Sequence, residues 1–315
     1  ASTAPSRSWR LDMAQTVTEP KGLWKLRVFL FNKMCGLARR GLLDWLPDRL
    51  FLKLQYYLKL GRRLNLKRPA LYNEKLQWIK LYDRDERYPG FVDKLAVRGY
   101  VREQVGEEYL IPEIARYERP EDIDWDALPE KYVLKCTHGS STNIIQDGTK
   151  TAEAIEREKR RLPGWMAGDW FRLSREWPYK GIRPRILVEQ FLEGPGGQVP
   201  YDYKILCFDG EPRYIIVDVD RYQDHKRNFY DLNWERQAIF NRHPGYDGQV
   251  QRPECLNEML DVARKLSKGL KHIRIDLYEV DGRVYFGEMT FFHGYGMEVF
   301  RPRSFEQHLG ELIRL

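Results

Sequence analysis

Apolar positions along the chain switch between two periods, and each switch marks an element. Residues 22–68 interleave large apolar side chains with Lys and Arg and read as helices separated by a turn near Pro47. Residues 73–87, with Leu76, Ile79, Lys80 and Leu81, read as a helix capped by Asn73; residues 91–104, with Asp93 near the start, read as another. Gly106 and Pro112 bracket a turn into a short strand at Leu110-Ile111, and residues 120–128 read as a polar loop. Strand-like runs follow at 132–136 and 143–146, separated by the small polar loop His138-Gly139-Ser140-Ser141-Thr142. A charged helix is expected at 151–162, and a buried strand at 185–192 ends in Glu193-Gly194-Pro195-Gly196-Gly197. Strands at 201–208 and 212–219 turn at Asp209-Gly210, a helix fills 256–270, and strands at 273–280 and 284–290 turn at Asp281-Gly282. Strands paired through hairpins, with helices between them, predict an α+β fold rather than a doubly wound parallel sheet. Residues 1–20 have no periodicity and are expected to be flexible.

Composition narrows the class. A hydrophobic share of 42% and an aromatic share of 13% argue against extended disorder. No stretch approaches the roughly 18 apolar residues of a spanning helix, and the N-terminus lacks a signal-peptide plan; a cytoplasmic protein is expected. Cys35, Cys136, Cys207 and Cys255 are far apart in apolar contexts, which favours buried thiols over a disulfide framework or zinc site. Charge is lopsided. Residues 1–70 carry 15 Lys/Arg against 4 Asp/Glu, whereas the whole chain is only +7, so the basic excess belongs to the N-terminal arm. Two readings of that arm stay open: cationic amphipathic helices lying in a membrane interface, or helices packed on the main body or on a partner. Nucleic acid is not an expected partner.

Three features suggest chemistry from the residues alone. Lys135 lies in the middle of an apolar strand, where an ionised amine is costly unless paired, and the small-residue loop after it lets backbone N–H groups approach phosphate. Glu189 ends an apolar strand at a Gly/Pro-rich break, which suits a hinge. Asp276 and Glu288 fall on facing strands about one turn, roughly 5 Å, apart across the pair; two opposed carboxylates need a metal ion or Arg274 between them.

In sequence order these features resemble the ATP-grasp superfamily, and within it the TupA-like branch. The resemblance runs from about residue 73 to 315. It rests on Asn73-Glu74-Lys75-Leu76-Gln77-Trp78, Asp93-Lys94-Leu95-Ala96-Val97-Arg98, Leu128-Pro129-Glu130-Lys131-Tyr132-Val133-Leu134-Lys135-Cys136, Asp202-Tyr203-Lys204-Ile205-Leu206-Cys207-Phe208-Asp209-Gly210, Arg274-Ile275-Asp276-Leu277-Tyr278 and Phe286-Gly287-Glu288-Met289-Thr290-Phe291. It implies two α+β subdomains enclosing ATP and Mg2+, preceded here by a basic helical arm. By the resemblance, Lys94 and Lys135 hold the α- and β-phosphates, and the loop with His138, Gly139, Ser140 and Ser141 closes over the triphosphate. Glu189, Gln190, Phe191 and Leu192 form the adenine hinge, and Asp202 binds ribose. Lys204 reaches the γ-phosphate or an anionic substrate, Arg274 steadies an oxyanion, and Asp276 and Glu288 ligate one or two magnesium ions. Thr290 replaces the Asn usual at the third ligand position.

The resemblance therefore implies an ATP-dependent carboxylate–amine ligase working through an acyl phosphate on small-molecule or glycan substrates, in cell-surface polysaccharide or glycan–peptide assembly. It also admits peripheral attachment at the inner face of the membrane through residues 21–63. A kinase acting on a sugar hydroxyl is the first alternative, and a glycosyltransferase or non-catalytic glycan-binding protein the second. Asp218-Val219-Asp220 and Asp122-Ile123-Asp124 match the short Asp-x-Asp pattern of the glycosyltransferase reading, but a strand-end role suits them better. His225, His243, His272, His293 and His308 lack metal-ligand spacing and read as structural, with His293 the candidate for a substrate role. The expected organisation is a flexible 1–20, the arm 21–70, an N-terminal subdomain 71–130, a first ATP-grasp subdomain 131–192 with the phosphate loop, and a second 193–315 with the metal site.

Overall fold

The structure is a computed structural model that describes residues 21–148, 150–197, 199–219 and 224–315. Residues 1–20 and Asp220 lie outside the described residues.

The basic arm is a helical hairpin of α1 (Lys21–Arg39) and α2 (Asp48–Leu60). Phe31, Met34, Cys35 and Ala38 on α1 meet Phe51, Leu52 and Tyr56 on α2, and Leu173 and Met297 of the body complete this core. Arg27 donates to the carbonyl of Leu58 at 2.8 Å, serving one of the free C-terminal acceptors of α2. Gly61, at φ 70°, then turns the chain out of the helix. Gln55 donates to the Leu173 carbonyl at 3.0 Å. Packing on the body therefore holds for the inner face of the hairpin.

The helix expected at 73–87 is α3 (Tyr72–Tyr82); it stops before the charged run Asp83-Arg84-Asp85-Glu86-Arg87. Its cap is not Asn73. Glu74 reaches back to accept the N–H groups of Ala70 and Leu71 at 3.0 and 3.2 Å, while Asn73 ties the helix to the Glu298 carbonyl at 2.7 Å. The helix expected at 91–104 is two, α4 (Tyr88–Val92) and α5 (Val97–Gln104). Asp93 interrupts them because its carboxylate accepts the N–H groups of Leu95 and Ala96 at 2.8 and 3.2 Å, a local alternative to helix bonding. Leu110 makes a single bridge to Phe286, and the strand in this region is β1 (Glu113–Tyr117) instead.

Two antiparallel sheets follow. The first contains β1, β2 (Tyr132–Cys136), β3 (Asn143–Gln146) and β4 (Ile186–Gln190) in the order β1-β4-β2-β3. Alternation buries Leu134 and Cys136 with Ile144, Ile186 and Val188 beneath Leu162, and sends Val133 and Lys135 to the opposite face. Three short helices, α6 (Ala152–Lys159), α7 (Leu162–Met166) and α8 (Trp170–Ser174), join β3 to β4.

The second sheet holds β5 (Asp202–Phe208), β6 (Glu211–Val219), β7 (Lys226–Tyr230), β8 (Arg236–Gln237), β9 (His272–Val280) and β10 (Arg283–Thr290), in the order β10-β9-β5-β6-β7-β8. Asp209-Gly210 and Asp281-Gly282, all at positive φ, make the two expected tight turns. Ile205, Cys207, Ile215, Val217, Ile273 and Ile275 face α9 (Leu256–Ser267), whose Met259, Val262, Ala263 and Leu266 are buried against them. On the other face, Phe208 and Tyr214 are covered by Tyr72 of α3 and Phe305 of α10 (Arg303–Glu311). The same face also carries Lys204, Asp202, Asp218 and Asp276.

Candidate active site

On the first sheet, Val133 sits opposite both Ile145 and Glu189, so these side chains share the face on which Lys135 emerges. The Lys135 ammonium donates to Glu189 Oε2 at 2.6 Å. The other oxygen of Glu189 accepts from Arg98 Nη1, also at 2.6 Å, and Arg98 is anchored on the Ile111 carbonyl at 3.0 Å. One buried carboxylate thus holds two cations in place, which answers the cost of putting Lys135 in an apolar strand. Lys94, in the turn between α4 and α5, donates to the Gly139 carbonyl. Burial pulls its ammonium below the ordinary lysine value, Glu288 works against that shift, and Lys135 adds to it.

On the second sheet, register assembles a layer of alternating charge. Lys204 lies opposite Asp276, Asp202 opposite Asp218, Asp218 opposite Arg227, Asp276 opposite Glu288, and Arg274 opposite Thr290. Directly opposed residues share a face, so five strands contribute to one network. Lys204 pairs with Asp202, Asp276 and Asp218, the last two at 3.2 and 3.5 Å. Arg274 grips both oxygens of Asp276 at 2.6 Å and reaches Glu288 at 3.0 Å and the Thr290 hydroxyl at 3.2 Å. Burial would lower the Arg274 pKa, but Asp276, with Glu288 and Asp202, holds the guanidinium above its ordinary value. Burial likewise pushes Asp218 up, and Arg227, bound bidentately at 2.5 and 2.9 Å, drives it well below the usual carboxylate range.

The two faces enclose a cleft. Lys94, Lys135, Glu189, Asp276 and Glu288 all line it, with Phe191 and Leu192 at one end and Ser140 and Ser141 at the other. Past Ser140, Ser141 and Glu288 it continues into a second cavity bordered by Lys204, Arg274, Asp218, Arg227, His225 and His243. The charges expected from both halves of the chain therefore converge.

A bulge brings Asp276 and Glu288 together. The β9–β10 register shifts between Phe286 and Glu288, and Gly287 lies so close to β9 that a Cβ there would meet the Asp276 carbonyl at 3.0 Å and the Tyr278 ring at 2.9 Å. The opposed carboxylates are bridged by Arg274, and the Thr290 hydroxyl donates to Glu288 at 3.1 Å. Their oxygens are the hard donors that magnesium prefers, and the Glu288 side chain, 32% exposed, opens toward the cleft. Among the described residues no group of three or more His, Cys, Asp or Glu side chains is placed to hold a metal. The fit is therefore to an ion that takes two protein carboxylates and its remaining oxygens from phosphate and water, as magnesium commonly does.

Some expected positions fall elsewhere. His138 is buried, with Nε2 3.2 Å from the Trp165 carbonyl, and does not border the cleft; Gly139 takes part through its carbonyl. Asp202 lies beneath the sheet surface with Lys204, outside the lining where a ribose acid was expected, because alternation gives it the same face as that lysine. Glu189, Gln190, Phe191 and Leu192 all line the cleft; the Glu189 side chain clamps Lys135, and the Gln190 N–H is bonded to the Pro112 carbonyl at 3.0 Å. Asp218 is an ion-pair residue of β6, bound to Arg227; its Asp-x-Asp partner Asp220 lies outside the described residues. His225 and His243, read as structural, stack at 3.6 Å on the wall of the second cavity, and burial, with Arg227 next, lowers His243 to about 3. His293 also borders that cavity, next to Glu298 at 3.1 Å. Arg98, Asp218 and Arg227 were not anticipated as site residues; the signal lay in strand register, which spacing along the chain does not supply.

The family model described as TupA-like ATPgrasp matches residues 74–314. The chain belongs to the TupA-like ATP-grasp family. No curated protein matches it in sequence. Among solved structures it is similar to the D-alanine–D-alanine ligase of Bacillus anthracis, at 17% identity and a TM-score of 0.39, covering 70% of this chain and 60% of that one. For the D-alanine–D-alanine ligase of Helicobacter pylori the values are 13%, 0.41, 78% and 70%. For the ATP-grasp ligase PsnB complexed with its minimal precursor they are 11%, 0.38, 75% and 67%. The chain thus spans less than two thirds of the Bacillus anthracis ligase. The fold is α+β, of ATP-grasp type.

Proposed function

We propose that this ATP-grasp protein is a carboxylate–amine ligase that uses ATP to activate a carboxylate as an acyl phosphate. One observation carries the reading: two lysines from the first half of the chain and the Asp276/Glu288 pair from the last hairpin border a single cleft that opens into a second charged cavity.

Lys135, fixed by Glu189 and Arg98, and Lys94 neutralise phosphate oxygens, while Ser140 and Ser141 offer a small-residue loop over them. Phe191 and Leu192 supply the apolar end for adenine. Asp276 and Glu288, with Thr290, would hold magnesium, whose chemistry is to neutralise charge on the transferred phosphoryl group. Arg274 and Lys204 face the second cavity, where positive charge is fixed before a substrate arrives. A substrate carboxylate oxygen attacks the γ-phosphorus and ADP leaves. The amine nitrogen then attacks the acyl carbon, loses a proton to solvent and displaces phosphate.

The setting in this reading is cell-surface polysaccharide or glycan–peptide assembly, in the cytoplasm and peripherally at the inner face of a membrane; the likeness of the motifs and the basic arm support it. The test is a phosphate-release screen of amino acids against uronic acids and glycans. Release that requires both an acid and an amine, and is lost in Lys135→Ala and Glu288→Ala, supports the ligase. Phosphate retained on a hydroxyl of the product would make the protein a kinase, and full turnover in either variant would overturn the site.

A further inference from the structure

The hairpin that packs so fully on its inner face leaves a second apolar surface uncovered. Of the fifteen exposed large apolar side chains among the described residues, ten lie between residues 23 and 57. They are not scattered. Leu23, Leu26, Leu30 and Leu37 recur at three-, four- and seven-residue intervals along α1, and Leu50, Leu54 and Tyr57 do the same along α2. Trp45, in the turn between the helices, is 77% exposed, and Phe29 is 55% exposed.

The charges around these stripes are sorted by sign. Lys25, Lys33, Arg39, Arg40, Arg49 and Lys53 are exposed. The segment 21–63 holds only two acids, Asp44 and Asp48. Both are turned to arginines of the body: Asp44 to Arg172 at 3.0 Å and Asp48 to Arg175 at 3.5 Å. The outward surface therefore combines apolar side chains with cations whose nearby acids are occupied elsewhere. No helix here is long and apolar enough to cross a membrane. Helices with a cationic rim, an apolar stripe and an exposed tryptophan suit the boundary between headgroups and acyl chains.

We propose that the outer face of the α1–α2 hairpin docks on an anionic phospholipid surface, with Leu26, Phe29 and Trp45 entering the interface and Lys25, Lys33 and Lys53 contacting headgroups. This deepens the membrane location suggested for the ligase and rests on that reading only for what the active site contains. The hairpin is also coupled to that site. Its core includes Leu173 and Met297, and Trp170 and Tyr295, which pack against the same core, line the second cavity and stack with ring centres 5.9 Å apart. The hairpin therefore lies between the proposed lipid-facing surface and the wall of the second cavity.

The test is flotation of the full chain with vesicles of phosphatidylcholine alone and with vesicles containing phosphatidylglycerol. Binding is expected only with phosphatidylglycerol and is expected to weaken as salt rises. The triple variant Lys25→Gln/Lys33→Gln/Lys53→Gln should weaken binding by about a hundredfold, since each lysine near such a surface is worth close to a factor of five, and the triple variant Leu26→Ser/Phe29→Ser/Trp45→Ser should weaken it as well by removing the apolar area that enters the interface. Their thermal unfolding and amine-dependent phosphate release should match the unmodified chain, because the replaced side chains are exposed and remote from the cleft. Absence of binding, equal binding to both vesicle types, or binding untouched by both variants would overturn the proposal. So would a dimer that the apolar variant dissolves, or binding that depends on residues 1–20 alone. The outcomes separate from the ligase reading: vesicle binding without ATP turnover sinks the ligase, and ATP turnover without vesicle binding sinks the docking surface.

Discussion

Glu189→Gln isolates the electrostatic clamp behind the cleft. The substitution keeps the shape but removes the negative charge that holds Lys135 and Arg98, each at 2.6 Å, and turns one of the two acceptor oxygens into an amide donor. All three side chains are nearly enclosed, with exposures of 7% for Glu189, 12% for Lys135 and 10% for Arg98. Solvent therefore screens little of the lost interaction. Removing one partner of a buried ion pair leaves the other charges uncompensated and costs about 3 kcal/mol at the low end of the measured range. For a chain of 315 residues, that should lower the unfolding midpoint by about 4–6 °C. Triphosphate carries the negative charge that Glu189 no longer supplies, so magnesium and ATP should restore more stability to the variant than to the unmodified protein. The assay is thermal unfolding with and without magnesium and ATP. A second comparison, Arg98→Met in the Glu189→Gln background, should recover part of the loss by removing one of the two cations that faced Glu189, although Arg98 keeps Glu113 at 3.6 Å as a partner. An unchanged midpoint, or a loss that ATP does not touch, would refute the claim that Glu189 holds a phosphate-binding lysine.

Other substitutions probe the remaining parts. Lys204→Met leaves Asp202, Asp218 and Asp276 facing one another without their shared cation; a loss of about 3–5 kcal/mol in denaturant unfolding is expected, and an unchanged midpoint concentration would contradict the network. Gly287→Ala should push β10 from β9 and cost about 1–3 kcal/mol, with ATP turnover falling more than stability because Glu288 is displaced. His272 is buried and neutral, its pKa lowered to about 3 by burial with His293 next. The unfolded chain binds that proton from about pH 6.5 downward, so stability should fall as pH drops from about 6.5 toward 3. His272→Gln should flatten that part of the stability–pH curve relative to the unmodified chain; parallel curves would refute the assignment.

The parts of the fold legible in the sequence were those where one local signal dominated. The strands at 132–136 and 143–146 were visible because apolar alternation was bounded by a small polar loop, and the two Asp-Gly hairpins because φ > 0 was required at both turn positions. β7 was missed for the opposite reason. Lys226, Arg227 and Asn228 look like surface residues, but Arg227 is buried against Asp218 and Asn228 bonds the Tyr246 carbonyl. The break at Asp93 depended on a side chain capping its own downstream backbone, which competes with helix formation without altering apolar spacing. At the site, Lys135, Asp276 and Glu288 were legible because each put charge at an apolar strand position. The places of His138 and Asp202 were not, because the resemblance supplies a position in the chain and only the paired strands determine which way the side chain faces.

The central claim is convergence: Lys94, Lys135 and the Asp276/Glu288 pair serve one nucleotide. Calorimetric titration of ATP into the protein, with and without magnesium, tests it most directly. One ATP per chain is expected, bound more tightly with magnesium and weakened by about tenfold or more in each of Lys94→Ala, Lys135→Ala and Glu288→Ala. Undiminished affinity in any of these variants, or magnesium-independent binding at a different stoichiometry, would contradict it.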